Sequence, residues 1–418
     1  MRRTRRRSHY SRIFRSRRRR GPGALKVIVT IILLAALIFV GYSISDPLIQ
    51  LFSGNFKPAP ASSSEPTSSA AKPTTTSSSS SETSSSAGVN TTAIRGAYLP
   101  KSYLSNTAEL NEFIAQAKSA GINLAVVDLK AEDGIVNYAS KVSEAKNTVA
   151  SGAPDASAAA KALSDAGITP AARICAFEDP VAPKVLRGTG VMYYKNHSMN
   201  WIDPSGNRWL NPNSPQAQQY ITSLATEAVS LGYKQIFIDA VTFPTKGNPD
   251  KTGYFGEMTS KEQVISNYLA TLKQQVNAAG GKLTVITTGA AAVGQAKQNI
   301  GWSQNIFALS GDYISPNFCP SLLDPGIQVG TAAIKNPDLT PGDTVNTLAQ
   351  YIKENNNSRL STTVPIIQAY TNTKTKNGTY KQYTADDIRA EITALNNAGI
   401  QSYILYNPKG VYDFSSLK

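Results

Sequence analysis

Short apolar runs alternate with amphipathic segments along the chain from residue 93 to its end. Runs of this length, bounded by turn residues, are typical of buried strands. Eight strands are predicted in this way, at Gly96–Pro100, Asn123–Lys130, Thr169–Phe177, Gln235–Val241, Lys282–Thr288, Tyr313–Phe318, Thr363–Tyr370 and Ser402–Asn407.

The segments between these runs have the pattern of helices. Thr107–Ala120 places Leu110 and Phe113 on one face. Ser214–Leu231 begins with Ser-Pro, an N-cap residue followed by a proline in the first turn. Several helices end in a glycine and an apolar residue, because glycine stops a helix in the left-handed conformation. Three further helices are predicted at Lys261–Ala279, Pro341–Glu354 and Thr384–Ala398.

Eight strands alternating with helices predict a (β/α)₈ barrel, or TIM barrel, over residues 93–418. An open doubly wound sheet is the alternative. That fold usually carries a glycine-rich phosphate loop after its first strand, and none is visible here. In both architectures ligands bind at the carboxyl ends of the strands, so residues at those ends are the candidates for chemistry.

The N-terminal part of the chain has a different composition. Residues 1–26 hold eleven Arg, one Lys and no acidic residue, so they carry about +12 of the net charge of +14. The folded part is therefore close to neutral, and nucleic acid is not expected as its partner.

Residues 27–44, VIVTIILLAALIFVGYSI, are an uncharged apolar run of 18 residues, about the length of a membrane-spanning helix. The arginine-rich flank predicts a single-pass signal anchor in the cell membrane, with residues 1–26 in the cytoplasm and the C-terminal domain outside. A cleaved signal peptide is the alternative, because Ser43-Ile44-Ser45 resembles a cleavage site. Residues 53–92 are dominated by Ser, Thr, Pro and Ala, which predicts a disordered linker.

Cysteine and histidine are rare in the chain. Cys175 and Cys319 are predicted to be buried free thiols rather than a disulfide, because their strands lie on opposite sides of a barrel. Outside the basic arm the only histidine is His197, which argues against a zinc site and a Ser-His-Asp hydrolase. No cofactor is indicated, although Asp133 and Asp203 are loop carboxylates of the kind that bind calcium.

The fourth apolar run, within GYKQIFIDAVTFP, brings a carboxylate, Asp239, to a strand end. Hydrolysis of a glycosidic bond needs two carboxyl groups: one protonates the leaving oxygen, and the other attacks the sugar carbon or activates water. We predict that Asp239 is the nucleophile or base. Asp179, Asp128 and Asp133 compete for the role of the acid.

Other polar and aromatic residues near strand ends are candidates for binding the sugar. Arg173 and Lys130 are expected to orient the carboxylates or lower their pKa values. Side-chain alternation places Asp128 and Lys130 on one face of the second strand, where a purely structural ion pair is an equal alternative. The predicted substrate-binding residues are Lys130, Asp133, Arg173, Trp201, Trp209, Phe243, Gln368 and Tyr370.

Five segments resemble, in order, the glycoside hydrolase domain family DUF4015. They are VVDLKAEDG (126–134), ARICAFEDP (172–180), WIDPSGNRWLNP (201–212), GYKQIFIDAVTFP (232–244) and DYISPNFCPS (312–321). The resemblance covers nearly all of residues 93–418. The family is similar to α-amylase-type barrels, in which the carboxylate at the end of strand four is the nucleophile. The resemblance therefore implies that role for Asp239.

The chain departs from the family pattern at several positions. Thr242 and Ala240 stand where an arginine and a tyrosine are expected, and Ala369 replaces a carboxylate after Gln368. The fifth run ends in TTG, without the glutamate that amylase-type enzymes use as the acid. We predict a membrane-anchored, extracytoplasmic glycoside hydrolase of a cell-surface or cell-wall polysaccharide. The alternative is a non-catalytic glycan-binding or scaffold barrel at the cell envelope.

Overall fold

The computed structural model of the protein describes residues 92–374 and 378–417. The predicted basic arm (1–26), membrane anchor (27–44) and linker (53–92) lie outside the described residues, except for the last linker residue. Among the helices in the described ranges, none has both the length and the apolar character needed to span a membrane.

Eight parallel strands close into a barrel, and each pairs with its neighbours in chain order. The first strand also pairs with the last, which closes the barrel and excludes the open sheet. The predicted (β/α)₈ barrel is confirmed. Its strands are β1 (Arg95–Leu99), β2 (Leu124–Lys130), β3 (Thr169–Cys175), β4 (Gln235–Asp239), β5 (Lys282–Thr288), β6 (Tyr313–Asn317), β7 (Ile366–Gln368) and β8 (Tyr403–Tyr406).

Six helices of ten residues or more lie among the described residues. Ser214 caps the third by accepting a hydrogen bond from the Ala217 N–H, as its sequence predicted. All five helices predicted with bounds are confirmed. The helices are α1 (Thr107–Ser119), α2 (Ala156–Asp165), α3 (Pro215–Ser230), α4 (Lys261–Ala278), α5 (Pro341–Asn356) and α6 (Ala385–Ala398).

Shorter helices and strands lie in the connections between the barrel strands. Two short helices, Gly289–Ala292 and Ala296–Ile300, follow β5, and Ala182–Val185 follows β3. A three-stranded antiparallel sheet and a hairpin lie in the connections. The strands of the sheet are Met192–Tyr193, Asn196–Asn200 and Thr252–Gly253, and those of the hairpin are Ile327–Val329 and Ala332–Ile334. The 3₁₀ turns are Lys101–Leu104, Ser143–Ala145, Pro249–Lys251, Ile306–Ala308, Pro320–Leu322, Pro337–Leu339, Asn357–Thr362 and Phe414–Leu417.

The apolar core has two layers, because successive side chains of each strand point to opposite faces. One layer lies between the strands and the helices. The other fills the barrel, where Phe237 of β4 is 1% exposed and contributes roughly 1.5–3 kcal/mol by its burial. Cys175 and Cys319 are both buried and free, as predicted.

Candidate active site

Asp239, the last residue of β4, is fixed by hydrogen bonds at both carboxylate oxygens. Its Oδ2 accepts from Arg173 Nε at 3.0 Å and from Arg173 Nη2 at 2.7 Å. Its Oδ1 accepts from the Ala240 N–H at 2.7 Å. The side chain is nevertheless 25% exposed. The carboxylate is therefore oriented by the protein and still open on one side.

The backbone next to this carboxylate is strained. Ala240 has a φ of +50°, and it is the one non-glycine residue with a positive φ in the described ranges. Such a conformation costs on the order of 1–3 kcal/mol and is found most often at functional sites. Two backbone hydrogen bonds hold it, from Ala176 N–H to the Asp239 carbonyl at 2.8 Å and from Phe177 N–H to the Ala240 carbonyl at 3.2 Å.

Arg173 of β3 is the centre of the charge network in the barrel mouth. Besides Asp239, its guanidinium contacts Asp128 at 3.2 Å and Glu132 at 3.1 Å. Burial opposes the charge, but Asp239 and Asp128 outweigh it, so the pKa of Arg173 lies well above its ordinary value. Asp128 also accepts a hydrogen bond from Tyr98 Oη at 2.8 Å. Arg173 thus orients Asp239, as predicted.

Asp128, which pairs with Arg173, is buried. It is 4% exposed, and burial raises the pKa of its carboxyl group while Arg173 lowers it. Asp128 does not appear in the walls of the two cavities described below. Its position therefore fits an anchor for Arg173 better than the predicted role of the catalytic acid.

Lys130 does not lie on the face predicted from alternation. A β-bulge between Asp128 and Lys130 shifts the register, so that Lys130 pairs with Ile174 instead of continuing the inward row. Its ammonium group contacts Asp179 at 2.9 Å and donates to the Cys175 carbonyl at 2.7 Å. The predicted substrate contact of Lys130 is therefore corrected to a buried ion pair.

Asp179, predicted as a possible acid, is also removed from the cleft. Its side chain is fully buried, and Oδ1 accepts from the N–H groups of Val181 and Ala182, both at 2.8 Å. A Cβ on Gly134 would lie 2.4 Å from this oxygen, so the glycine, at φ +75°, is required for the close approach. Asp179 holds the turn after β3.

Two cavities meet at Asp239 and form one cleft at the carboxyl end of the barrel. The first has a volume of about 320 Å³ and the second about 340 Å³. Both are lined by Asp239 and by Ile286, Thr287 and Thr288 of β5. The first extends under the loops after β3 and β4, and the second covers the barrel mouth around Arg173.

Glu178 is a functional candidate that the sequence interpretation missed. It lines the first cavity, as Asp239 does. Burial raises the pKa of its carboxyl group, and the negative charges of Asp239, Glu132 and Asp203 add to this effect. A carboxyl group with a raised pKa beside a second carboxyl group is the combination that general acid catalysis of glycoside hydrolysis uses. Glu178 lies in the segment ARICAFEDP. The alternation of side chains along β3 was assumed to continue beyond the end of the strand at Cys175, and that assumption favoured Asp179 over Glu178.

Aromatic residues form part of the cleft wall. Trp201 is 4% exposed and donates through Nε1 to the Asn248 carbonyl at 3.2 Å. Trp209 donates through Nε1 to Asp203 Oδ2 at 3.2 Å. Trp201, Trp209 and the buried Phe243 all line the first cavity, where they were predicted to contact the sugar.

Asp203 holds the loop that carries Trp209. Its Oδ1 accepts from the N–H groups of Ser205 and Asn207 at 2.8 and 2.9 Å, and its Oδ2 accepts from Trp209. The loop carboxylate therefore fixes an aromatic wall of the cleft. Within the described ranges no group of three or more His, Cys, Asp or Glu residues is arranged to hold a metal ion.

Three other predicted contacts lie outside the cleft lining. Asp133 is half exposed and pairs with Lys101 at 3.0 Å. Gln368 is fully buried and accepts from the Ser321 N–H at 3.0 Å. Tyr370 packs edge-on against Tyr406, with ring centroids 5.8 Å apart, and Tyr406 lines the second cavity. The predicted contacts of Asp133 and Gln368 are corrected accordingly, and Tyr370 contacts Tyr406 without lining the cleft itself.

Comparisons with known proteins show the family and the fold of the chain. The family model of DUF4015, described as "Putative glycosyl hydrolase domain", matches residues 96–412. The glycoside hydrolase domain of PgaB (BpsB) from Bordetella bronchiseptica is 11% identical, with a TM-score of 0.53 over 76% of this chain and 95% of that chain. This likeness shows the barrel fold.

Two further solved structures are similar at lower TM-scores. A hypothetical protein from Ruminiclostridium thermocellum is 25% identical over 45% of this chain and 96% of its own, with a TM-score of 0.41. A chitinase from Chromobacterium violaceum is 16% identical over 78% of this chain and 98% of its own, with a TM-score of 0.46. No curated protein matches the chain significantly.

Proposed function

The chain belongs to the glycosyl hydrolase domain family DUF4015, and on this premise we propose that it hydrolyses glycosidic bonds with Asp239 and Glu178 as the two catalytic carboxyl groups. One observation carries the proposal. Both carboxyl groups line the same cavity at the carboxyl end of the barrel, which is where the active sites of (β/α)₈ enzymes lie.

The environments of the two groups suit different roles. Glu178, whose pKa is raised by burial and by its acidic neighbours, gives its proton to the leaving glycosidic oxygen. Asp239, paired with Arg173, acts on the sugar carbon as the nucleophile, or on water as the base. Water supplies the hydroxyl group to the sugar and the proton that restores Glu178. Trp201 and Trp209 offer rings against which the sugar packs.

The location of the enzyme is part of the proposal. An 18-residue apolar run after an arginine-rich segment supports a membrane anchor at residues 27–44, with the barrel outside the cell and residues 53–92 as a spacer. The substrate is then a polysaccharide of the cell surface or wall. Membrane fractionation and N-terminal sequencing test this arrangement. A mature chain beginning near Asp46 would show that the segment is cleaved.

The activity is tested by counting the reducing ends released from peptidoglycan, glycol chitosan, hydroxyethyl cellulose and pullulan by the full chain. Asp239→Asn and Glu178→Gln should each abolish most of the release, because each removes one of the two required groups. Gln368→Asn is a useful control for a buried residue outside the cleft. Release that is unchanged in Asp239→Asn would rule out the proposed role of that residue.

A second candidate function, glycan binding without turnover, is favoured by one observation. At the end of β5, where amylase-type enzymes carry a glutamate, Thr288 instead accepts a hydrogen bond from the Ala291 N–H and caps a short helix. In the same experiment this candidate predicts no release by the wild type from any of the four polysaccharides, together with retention on at least one of them.

A further inference from the structure

The turn after β2 carries a carboxylate, Glu132, that the two catalytic roles do not use. The turn is closed by a hydrogen bond from the Gly134 N–H to the Ala131 carbonyl at 3.1 Å. Glu132 lines the second cavity, its side chain is 63% exposed, and its Oε2 accepts from Arg173 Nη2 at 3.1 Å. Its Oε1 accepts no hydrogen bond from the described residues. One oxygen of Glu132 is therefore oriented by the protein, and the other is open to a ligand.

Arg173 does not balance the acidic groups around it. Its Nε and Nη2 donate to Asp239, and its Nη1 donates to both oxygens of Asp128. Glu132 receives only a second, longer hydrogen bond from Nη2. Among the described residues that line the second cavity, Arg173 is the one cation. Three carboxylates thus share one guanidinium, and the excess of negative charge in this cavity favours a cationic ligand.

The rest of the second cavity suits a sugar ring. Its volume of about 340 Å³ is within the usual range for sites that bind small molecules. Tyr98 and Tyr406 line it, with ring centroids 5.0 Å apart. A sugar ring has apolar C–H faces and a polar edge, so it matches a cavity with both kinds of wall. The apolar side chains that the barrel interior contributes to this wall are Val126, Phe237, Ile286, Ile366 and Ile404.

Under the proposed function, the two cavities hold the two sugars that the scissile bond joins. Glu178 lines the first cavity and not the second, so the leaving sugar, whose oxygen Glu178 protonates, lies in the first. The sugar whose anomeric carbon reacts beside Asp239 then lies in the second. Asp239 and Glu132 accept from the same nitrogen, Arg173 Nη2, at 2.7 and 3.1 Å. Their carboxylates are therefore close enough to contact neighbouring positions of one sugar ring.

We propose that the sugar in the second cavity is a 2-amino sugar with a free amine, and that Glu132 binds its ammonium group. This inference rests on the proposed function and names its substrate class, a polysaccharide with unacetylated amino sugars. The amine of such a sugar is on the carbon next to the anomeric carbon, in keeping with the positions of Glu132 and Asp239 on one guanidinium nitrogen. A hydroxyl or N-acetyl group in its place would leave the negative charge uncompensated. Hydrolysis makes the unacetylated sugar the new reducing end.

Binding is measured first, by calorimetry on the full chain with Glu178→Gln, which removes the proposed acid and prevents turnover. The ligands are the tetrasaccharide of glucosamine and the same tetrasaccharide after N-acetylation. We expect tighter binding of the free amine form, and adding Glu132→Gln should remove roughly tenfold of that affinity, as for a hydrogen bond to a charged group. Asp133→Asn is the matched control, since it removes the same charge from a half-exposed neighbour outside the cleft lining.

The binding data overturn the inference if the acetylated form binds as tightly as the free amine or more tightly, or if neither form binds. They also overturn it if Glu132→Gln leaves the preference unchanged, or if Asp133→Asn reduces it equally, since the preference would then reflect the charge of the surface as a whole. Because Glu132 is exposed, its glutamine variant should fold normally, and equal melting temperatures of the variants check this.

Turnover then separates the inference from the proposed function. The wild type is incubated with partially N-acetylated chitosan, and the products are labelled at their reducing ends and identified by mass spectrometry. We expect a free amine on the labelled sugar. Labelled N-acetylated sugars, or release from pullulan alone, would overturn the inference and leave the hydrolase standing. Preferential binding of the free amine form that depends on Glu132, without release from any polymer, would support Glu132 as the ammonium-binding group and contradict the hydrolase.

Discussion

Two clusters of cationic and acidic side chains lie on neighbouring strands, and only one of them opens to the cleft. In the closed cluster, Lys130 and Asp179 are both fully buried and 2.9 Å apart. In the open cluster, Arg173 contacts Glu132 and Asp239, whose side chains are 63% and 25% exposed. The same types of residue, drawn from β2, β3, β4 and the segments after β2 and β3, have therefore been placed in two different environments.

The difference lies in how completely the charges are satisfied inside the protein. Lys130 and Asp179 balance one another, and backbone groups take up much of their remaining hydrogen-bonding capacity. In the open cluster one guanidinium is shared by three carboxylates, so negative charge remains in excess beside a cavity. Removing one partner of a closed pair leaves an uncompensated buried charge, whereas an excess of oriented charge at a cavity is available to a ligand.

The largest expected effect is on stability, and it comes from breaking the closed cluster. Lys130→Met leaves the Asp179 carboxylate buried without its cation, so the free energy of unfolding should fall by about 3–5 kcal/mol. Urea unfolding measures the change. Adding Asp179→Asn to Lys130→Met removes the uncompensated charge and should restore part of the stability. Equal stability of Lys130→Met and the wild type would contradict the comparison.

In the open region, the next effect concerns activity and its dependence on pH. Glu178→Gln removes the proposed acid and should lower kcat by roughly 10²–10⁴-fold. Burial and acidic neighbours raise the pKa of Glu178, so the wild type should keep the protonated, active form above the ordinary range of a glutamic acid. Activity should then decline as the pH rises through that raised pKa. A pH–rate profile measures this, and the same alkaline decline in Glu178→Gln would assign it to another group.

A smaller effect is expected from the buried side of the open cluster. Asp128→Asn keeps the hydrogen bond with Tyr98 but removes a charge that holds Arg173. We expect about 1.5–3 kcal/mol less stability, the usual range for a hydrogen bond to a charged group, together with a reduced kcat and little change in KM. Steady-state kinetics on a soluble substrate measure kcat and KM separately. If Asp128 were itself the acid, the alkaline limb of the pH–rate profile would disappear in this variant.

The comparison also shows where sequence interpretation succeeds and where it stops. The eight strands were predictable because both faces of a barrel strand are buried, so each strand appears as a continuous apolar run. Alternation correctly placed Asp239 and Arg173 on the inner face. It failed at Lys130, because a bulge reverses the order of the faces. It failed again after Cys175, where β3 ends and a loop carries Glu178 to the cavity.

The smallest expected effect tests whether the strained turn serves the open cluster. Ala240→Gly relieves a positive φ that costs on the order of 1–3 kcal/mol. The substitution also lowers the free energy of unfolding by roughly 0.5–1 kcal/mol, because glycine has more conformational freedom than alanine in the unfolded chain. A net gain of about 1 kcal/mol in the free energy of unfolding is expected. Because the Ala240 N–H orients Asp239 Oδ1, the looser backbone should also lower kcat. A variant that is more stable and equally active would show that the strain has no catalytic purpose, whereas greater stability with lower activity would identify it as the means by which the open carboxylate is held in position.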